Sequence, residues 1–251
     1  MISGYTMVSN AVSQDYCIDP CVRSLSAFCD EVVVGYSPSN DETPNVLQHL
    51  VDTLPNVRIV HAPADFTVNG GGIDWMLDWM DSVRKQLNGD YQVQLDADEV
   101  IPEWCIDDIL KAARSGESLL CNRLNFWGKL NRIAPHGHFC GHLVPRCAPV
   151  KYKLPSDMPV STADYPVILK ARPSRVQVFH YCTLRKPEAF LKKSRSFQPV
   201  LVGTYDTRID ESMSNPVHWS DHFKYPEPFI EYNGPHPEVV KPWLRERHYD
   251  V

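Results

Sequence analysis

Over the first 118 residues, strand-like segments alternate with helix-like ones, and no other feature restricts the fold as much. "GYTMVSN" reads as a strand and "CIDPCVRSLSAFC" as a helix. "EVVVGYS" is a short buried strand, "DETPNVLQHLVDTL" a helix with Pro44 in its first turn, and "VRIVHA" another strand. Then come "NGGGIDWMLDWMDSVRKQL", a glycine-led amphipathic helix, the strand "YQVQLDADEV", and the helix "EWCIDDILKAARSG". Strands spaced by helices predict a mostly parallel sheet covered on both faces, with ligands gathering beyond the carboxyl ends of the strands. From about Leu119 the texture shifts to shorter strands, many prolines and one more helix, "KPEAFLKKSRSFQPVL", which suggests an antiparallel section. The expected organisation is one α/β unit over 1–211, divided at 118/119, with a C-terminal extension, 212–251, packed on it.

A chain of 251 residues buries a full core as one such unit. Hydrophobic residues make up 43% and charged residues 22%, and no run approaches the roughly 20 apolar residues that span a bilayer. The N-terminal "MISGYTMVSNAV" has no leader pattern, so the expected location is the cytoplasm. Eight scattered cysteines without CxxC pairing read as mostly reduced thiols. A net charge of −6 speaks against life on a phosphate backbone, although Lys and Arg concentrate between Lys170 and Arg195.

The chemistry concentrates where the fourth strand ends, at Asp96, Asp98 and Glu99. Two carboxylates one residue apart either close a solvated turn or share a hard divalent cation that keeps open positions for phosphate oxygens. "HGHFCGH" puts His136, His138, Cys140 and His142 on one face of a strand, but ligands about 6.6–6.8 Å apart along a strand cannot close one tetrahedral site. It reads first as a polar face or a cleft lining, and zinc is the alternative. Trp75, Trp79, Phe126, Trp127 and Trp219 could stack on a sugar or base, although Trp75 and Trp79 stand at helical core spacing.

"SGYTMVSNA", "SLSAFCDEVVVGYSPSNDET", the glycine-rich lead and "LDADEV" together resemble the family 2 glycosyltransferases of the GT-A fold. Their nearest branch opens "GFT-x-V-R-N-A" and carries an "ADEV" motif. "LNFWG", "VFHYCTLRKPEAFLKK" and "YNGPHPEVV" are similar to its "HFYG", "YHYGWVR-P-x-x-x-x-K" and "F-x-G-x-HP" segments, so the likeness runs nearly the whole chain. It implies a GT-A, Rossmann-like mostly parallel sheet with a smaller antiparallel section, and a transferase using a nucleotide-diphosphate sugar, UDP first. It implies Mn²⁺ or Mg²⁺ held by Asp96, Asp98 and His180. Donor contacts would come from Ser9, Asn10, Tyr36, Asp41, Gly71, Gly72, Asp74, Asp96, Ala97, Arg146 and His236.

The chain departs from the pattern at Ser9, where relatives have a basic residue, and after "VVVGYS", where Asp41 is the nearest carboxylate to a base-reading Asp. Inverting transfer needs a base for the acceptor hydroxyl; Asp157 is the candidate, with Asp164 and Glu188 open. The acceptor is a glycan, a lipid-linked glycan or a hydroxymethylated DNA base. A non-catalytic nucleotide-sugar or glycan-binding module is the rival from another class.

Overall fold

The computed structural model describes residues 1–61, 72–134, 143–154, 171–202 and 229–251. Strands β1 (Ile2–Val8), β2 (Glu31–Tyr36), β3 (Val57–His61) and β4 (Tyr91–Gln94) are parallel and lie in the order β3-β2-β1-β4. The helices α1 (Ile18–Ser26), α2 (Thr43–Thr53) and α3 (Gly72–Arg84) connect them, and α4 (Ile106–Ser115) follows. Burial explains the continuous apolar run of β2. Val32 and Val34 pack with Leu25 of α1 and Leu47 and Leu50 of α2, while Val33 joins Tyr5, Trp79 and Val83 on the α3 face. Pro44 sits in the first turn of α2, and α4 ends on Gly116 at φ 67°, where a side chain would be strained.

The second half adds β5 (Glu99–Val100), β6 (Leu119–Asn125), β7 (Arg132–Ile133), β8 (Leu143–Pro149), β9 (Arg172–His180), α5 (Pro187–Val202), β10 (Ile230–Glu231) and α6 (Lys241–Arg245). The main sheet continues past β4 as β8-β6-β9-β5, and β10 pairs with β7 in a small second sheet. β8 runs antiparallel to β4 and to β6, as does β5 to β9. β9 runs parallel to β6, against the antiparallel expectation. Because β8 has already returned the chain, β9 enters beside β6 from the same end. The "YQVQLDADEV" run also splits: pairing with β1 stops at Gln94, and the chain turns before pairing with β9 from Glu99. A helix-flanked, mostly parallel sheet extended by antiparallel strands is a GT-A-like arrangement.

The last residues, 229–251, lie against the second half. Val240, Trp243 and Leu244 pack with Phe126, Phe179, Tyr181 and Leu184. The described cysteines are free, all buried except the half-buried Cys182. Among the described residues no helix is long and apolar enough to cross a membrane.

The β2–α3 contact has a simple test at Gly35. A Cβ there would lie 2.7 Å from Val83 Cγ2. Gly35→Ala should cost about 1–3 kcal/mol of unfolding free energy through overpacking, read from urea denaturation; an unchanged midpoint would mean that α3 does not pack as described.

Candidate functional site

Parallel strands deliver their loops to one edge, and the loops after β1 and β2 are laced together there. Asn10, at φ 52°, donates its backbone N–H to Ser39 Oγ (2.7 Å) and accepts from Asn40 N at Oδ1 (3.1 Å). Its amide also donates to Ser9 Oγ (3.0 Å). Tyr36 is buried, with His61 edge-on at 5.5 Å, and its hydroxyl accepts from Ser39 N (3.1 Å). Asp41 accepts from Ser13 N (2.7 Å) and Thr43 N (3.0 Å), which ties the two loops and starts α2. Partial burial opposes its charge, but these bonds hold its carboxyl below the usual carboxylate range. Both Asp41 oxygens therefore already serve the backbone, so its observed role is to latch the loops.

The turn between β4 and β5 carries two separate charge groups. In the first, Asp96 N donates to Glu99 Oε2 (2.9 Å) and Glu99 N to Asp96 O (2.9 Å), so the turn closes on itself. Arg146 of β8 then reaches Asp96 Oδ2 (2.8 Å), Glu99 Oε1 (2.9 Å) and Gln94 Oε1 (2.7 Å). Arg123 of β6 adds contacts to Glu99 Oε1 (2.8 Å) and Asp96 Oδ2 (3.7 Å). Among the described residues, two carboxylates meet two guanidiniums here. Arg146 is fully buried, so the donor contact expected of it becomes support for Asp96 from below. Ala97 points into the main core, leaving only its backbone for a ligand.

The second group surrounds Asp98, whose side chain is 4% exposed. Its Oδ2 accepts from Arg185 Nη2 (2.6 Å) and Lys193 Nζ (3.0 Å). Its Oδ1 faces His180 Nε2 at 3.5 Å. The β6/β9 register sets Asn125 beside His180, and Asn125 Oδ1 lies 2.8 Å from Nδ1. An amide oxygen only accepts, so Nδ1 carries the hydrogen and Nε2 points at Asp98. Arg185 is anchored by Gln14 O (2.8 Å), and its guanidinium lies over the Tyr16 ring, 4.4 Å from the centroid. Burial opposes the charge on Asp98, but Lys193, His180 and Arg185 hold its carboxyl well below the usual range. Burial and Arg123 favour a neutral His180, and Cys182 and Asp98 outweigh them, lifting it to about 10. Among the described residues, one carboxylate, Asp98, faces two cations, Arg185 and Lys193, and their balance is positive.

Asp98 and His180 are thus brought together, while the Asp96 carboxylate turns to the other group. His236 makes its hydrogen bonds to residues outside the acidic turn. Its Nε2 donates to Leu130 O (3.2 Å), its Nδ1 accepts from Tyr181 OH (2.9 Å), and its ring packs on Phe126 at 4.7 Å. With both nitrogens engaged it locks the C-terminal segment and does not reach toward a diphosphate. Phe126 and Trp79 are core residues, in different clusters. Gly72 opens α3 and Asp74 falls in its first turn. Gly70, Gly71, His136, His138, Cys140, His142, Asp157, Asp164 and Trp219 lie outside the described residues. Among those described, no three His, Cys, Asp or Glu side chains gather as a metal cage. Sequence reasoning assigned no role to Tyr16, Asn125, Arg185 or Lys193; the signals for the last two were the basic stretch that holds them and the arginine and lysine of the family segment that "VFHYCTLRKPEAFLKK" resembles.

No protein-family model and no curated protein matches the chain. Among solved structures it is similar to S. aureus TarS 1–349, at 15% identity over 89% of this chain and 72% of that one, TM-score 0.46. The same TarS fragment in complex with UDP-GlcNAc matches at 14% identity, 89% and 73% coverage, TM-score 0.47. A longer TarS chain is matched over 33% of its length. A putative glucose-1-phosphate thymidylyltransferase from Bacillus anthracis matches at 9% identity, 76% and 95% coverage, TM-score 0.46. Likeness at this level passes no residue role to this chain.

Two measurements follow from the site's electrostatics. Glu99→Ala leaves Arg123 and Arg146 short of a buried partner and should cost about 3–5 kcal/mol, whereas Asp19→Ala, which breaks the half-exposed Arg23 pair, should cost under about 1 kcal/mol. Urea midpoints of the two variants compare them directly. Burial lowers His236 from 6.5 to about 4, so the unfolded chain binds the extra proton between those values. Its contribution is therefore full above pH 6.5 and is lost as pH falls toward 4, by up to ~1.4 kcal/mol per unit. His236→Gln should flatten that stretch of the stability–pH curve; a slope equal to wild type would refute the assignment.

Proposed function

We propose that this chain is a glycosyltransferase that moves a sugar from a nucleotide diphosphate, UDP first, to a hydroxyl acceptor. The observation that carries the reading is the positive pocket built on Asp98 at the carboxyl edge of the parallel strands, where Arg185, Lys193 and His180 converge. Ligands of open α/β sheets collect at that edge, and a diphosphate is the anion such a pocket suits. Direct displacement with inversion is the proposed course. As the glycosyl–phosphate bond breaks, charge grows on the leaving diphosphate, and preorganised cations stabilise it there without having to reorganise. Arg185, fixed by Gln14 and Tyr16, supplies a permanent charge; Lys193, 20% exposed, is the cation nearest solvent in the group.

The fold family implies a divalent cation, Mn²⁺ or Mg²⁺. Asp98 Oδ1 and His180 Nε2 face each other at 3.5 Å, with Nδ1 held by Asn125; Cys182 and Asp98 keep the imidazole protonated before any ion arrives, so His180 would release that proton to offer Nε2, and a hard oxygen with an imidazole nitrogen then suits such an ion. These two residues would hold it, and Asp96, paired with Arg146, would not. When bound, the ion supplies Lewis-acid charge to the leaving phosphate oxygens. Asp157 is the proposed base for the acceptor proton, and a glycan is preferred to a modified DNA base because the net charge is −6.

The test is a panel of nucleotide sugars with Mn²⁺, following thermal stabilisation and slow donor hydrolysis, with Asp98→Asn as the control. One donor should raise the melting temperature in a metal-dependent way, with hydrolysis reduced at least about 100-fold in the variant. No response to any donor, with or without metal, would sink the reading.

A further inference from the structure

The two permanent cations on Asp98 Oδ2 are held very differently. Arg185 is fully buried, tied to Gln14 O and covered by the Tyr16 ring. Lys193 comes from the second turn of α5 and its side chain is 20% exposed. Among the described residues its ammonium has one hydrogen-bonded partner, Asp98, besides the face of Tyr16 at 5.0 Å. A lysine ammonium is a compact charge on a flexible four-carbon stem, so it can leave one anion for another nearby at little steric cost. Arg185, anchored on both sides, cannot. Asp98 would be severely undercompensated in a buried site without cations, and it keeps Arg185 when Lys193 leaves.

From this difference we infer that Lys193 is a placeholder cation: it neutralises Asp98 in the empty protein, gives the carboxylate up to a divalent ion, and moves onto the diphosphate that arrives with that ion. This rests on the reading of the site as a nucleotide-diphosphate pocket. Two consequences follow from charge alone. Metal without diphosphate must displace both Lys193 and the His180 proton, which leaves to solvent, and must enter a site that is already positive, so it binds weakly. Metal with diphosphate gives Lys193 a new anion, so each ligand strengthens the other by the same factor, as linkage requires. Lys193 is in this sense a positioning residue that sets the order of binding, and Asp98 and His180 are the groups that hold the ion.

The test is Mn²⁺ titration of the full chain, followed by the electron paramagnetic resonance signal of free Mn²⁺, with and without UDP, for wild type, Lys193→Met and Lys193→Arg. Lys193→Met should bind Mn²⁺ alone about tenfold more tightly than wild type, because the competing charge is gone. Its gain in Mn²⁺ affinity on adding UDP should shrink by a similar factor. Lys193→Arg, which keeps the charge, should stay close to wild type in both. Equal or weaker Mn²⁺ binding by Lys193→Met, undiminished coupling to UDP, or no Mn²⁺ binding by any of the three proteins would overturn the inference. Circular dichroism melts check that the variants fold, and Lys193→Gln replaces the Met variant if it does not. Calorimetry of UDP-sugars on wild type separates the two levels. Donor binding with unchanged Mn²⁺ affinity in Lys193→Met refutes the placeholder and leaves the transferase reading intact. Absence of donor binding, with the Mn²⁺ effect present, refutes the transferase reading alone.

Discussion

The rest of the structure depends on how one short acidic turn buries the carboxylates of Asp98 and Glu99 and half-buries that of Asp96. Asp96, Asp98 and Glu99 follow one another between β4 and β5, where the parallel half of the sheet hands over to the antiparallel half. Removing a carboxylate from water costs several kcal/mol unless partners replace the lost hydration. The chain supplies those partners from the other half. Arg123 comes from β6, Arg146 from β8, His180 from the end of β9, and Arg185 and Lys193 from the segment that follows. The acidic turn can therefore be buried only when both halves have folded against each other, so the charge pairs act as a condition on assembly as well as on binding.

The two groups then divide the labour by balance. Among the described residues the Asp96–Glu99–Arg123–Arg146 set pairs two carboxylates with two guanidiniums, and its cations are sealed from water. It holds the turn. The Asp98 set is left with more positive than negative charge and with one cation near solvent. Neighbouring carboxylates in "DAD" thus have different work because successive side chains of the turn face different elements, which spacing alone does not reveal.

Local patterns made the first half of the fold legible. Strand and helix periods are written over 4–14 residues, and the parallel order follows once strands alternate with helices, so β1 to β4 and α1 to α4 could be read directly. Gly116 and Pro44 marked their helix ends by chemistry that acts within one turn. The break at Leu95–Asp98 was not legible, because "YQVQLDADEV" keeps a strand-like alternation while the pairing partner changes from β1 to β9. At the site, the acidic turn and His180 announced themselves by type and motif. For Arg185 and Lys193 the family segment supplied a basic pattern but not the partner, since they meet Asp98 across 87 and 95 residues of sequence, and a lysine in a basic helix ordinarily belongs to a solvated face. His236, a donor contact by family resemblance, instead has both nitrogens engaged by a tyrosine hydroxyl and a carbonyl, partners 55 and 106 residues away that its motif does not show.

The C-terminal segment belongs to this same architecture. Asp15, at φ 53° in the loop after β1, accepts Arg247 Nε (3.0 Å) on Oδ2 and Arg247 Nη2 on Oδ1. The same Oδ2 accepts the backbone N–H of Lys186 (2.8 Å), at the entry to α5. One residue before, Gln14 O receives Arg185. Arg247 lies over the Trp243 ring at 3.8 Å, and Trp243 packs in the cluster that holds Tyr181. The tail, the β1 loop and the start of α5 are therefore clamped through two adjacent residues. What that clamp fixes is the base of the segment carrying Arg185 and Lys193. Rigidity at Arg185 and freedom at Lys193 are then two ends of one arrangement: the guanidinium sits at the clamp, while the ammonium stands two turns further on, where among the described residues Asp98 and Tyr16 hold it.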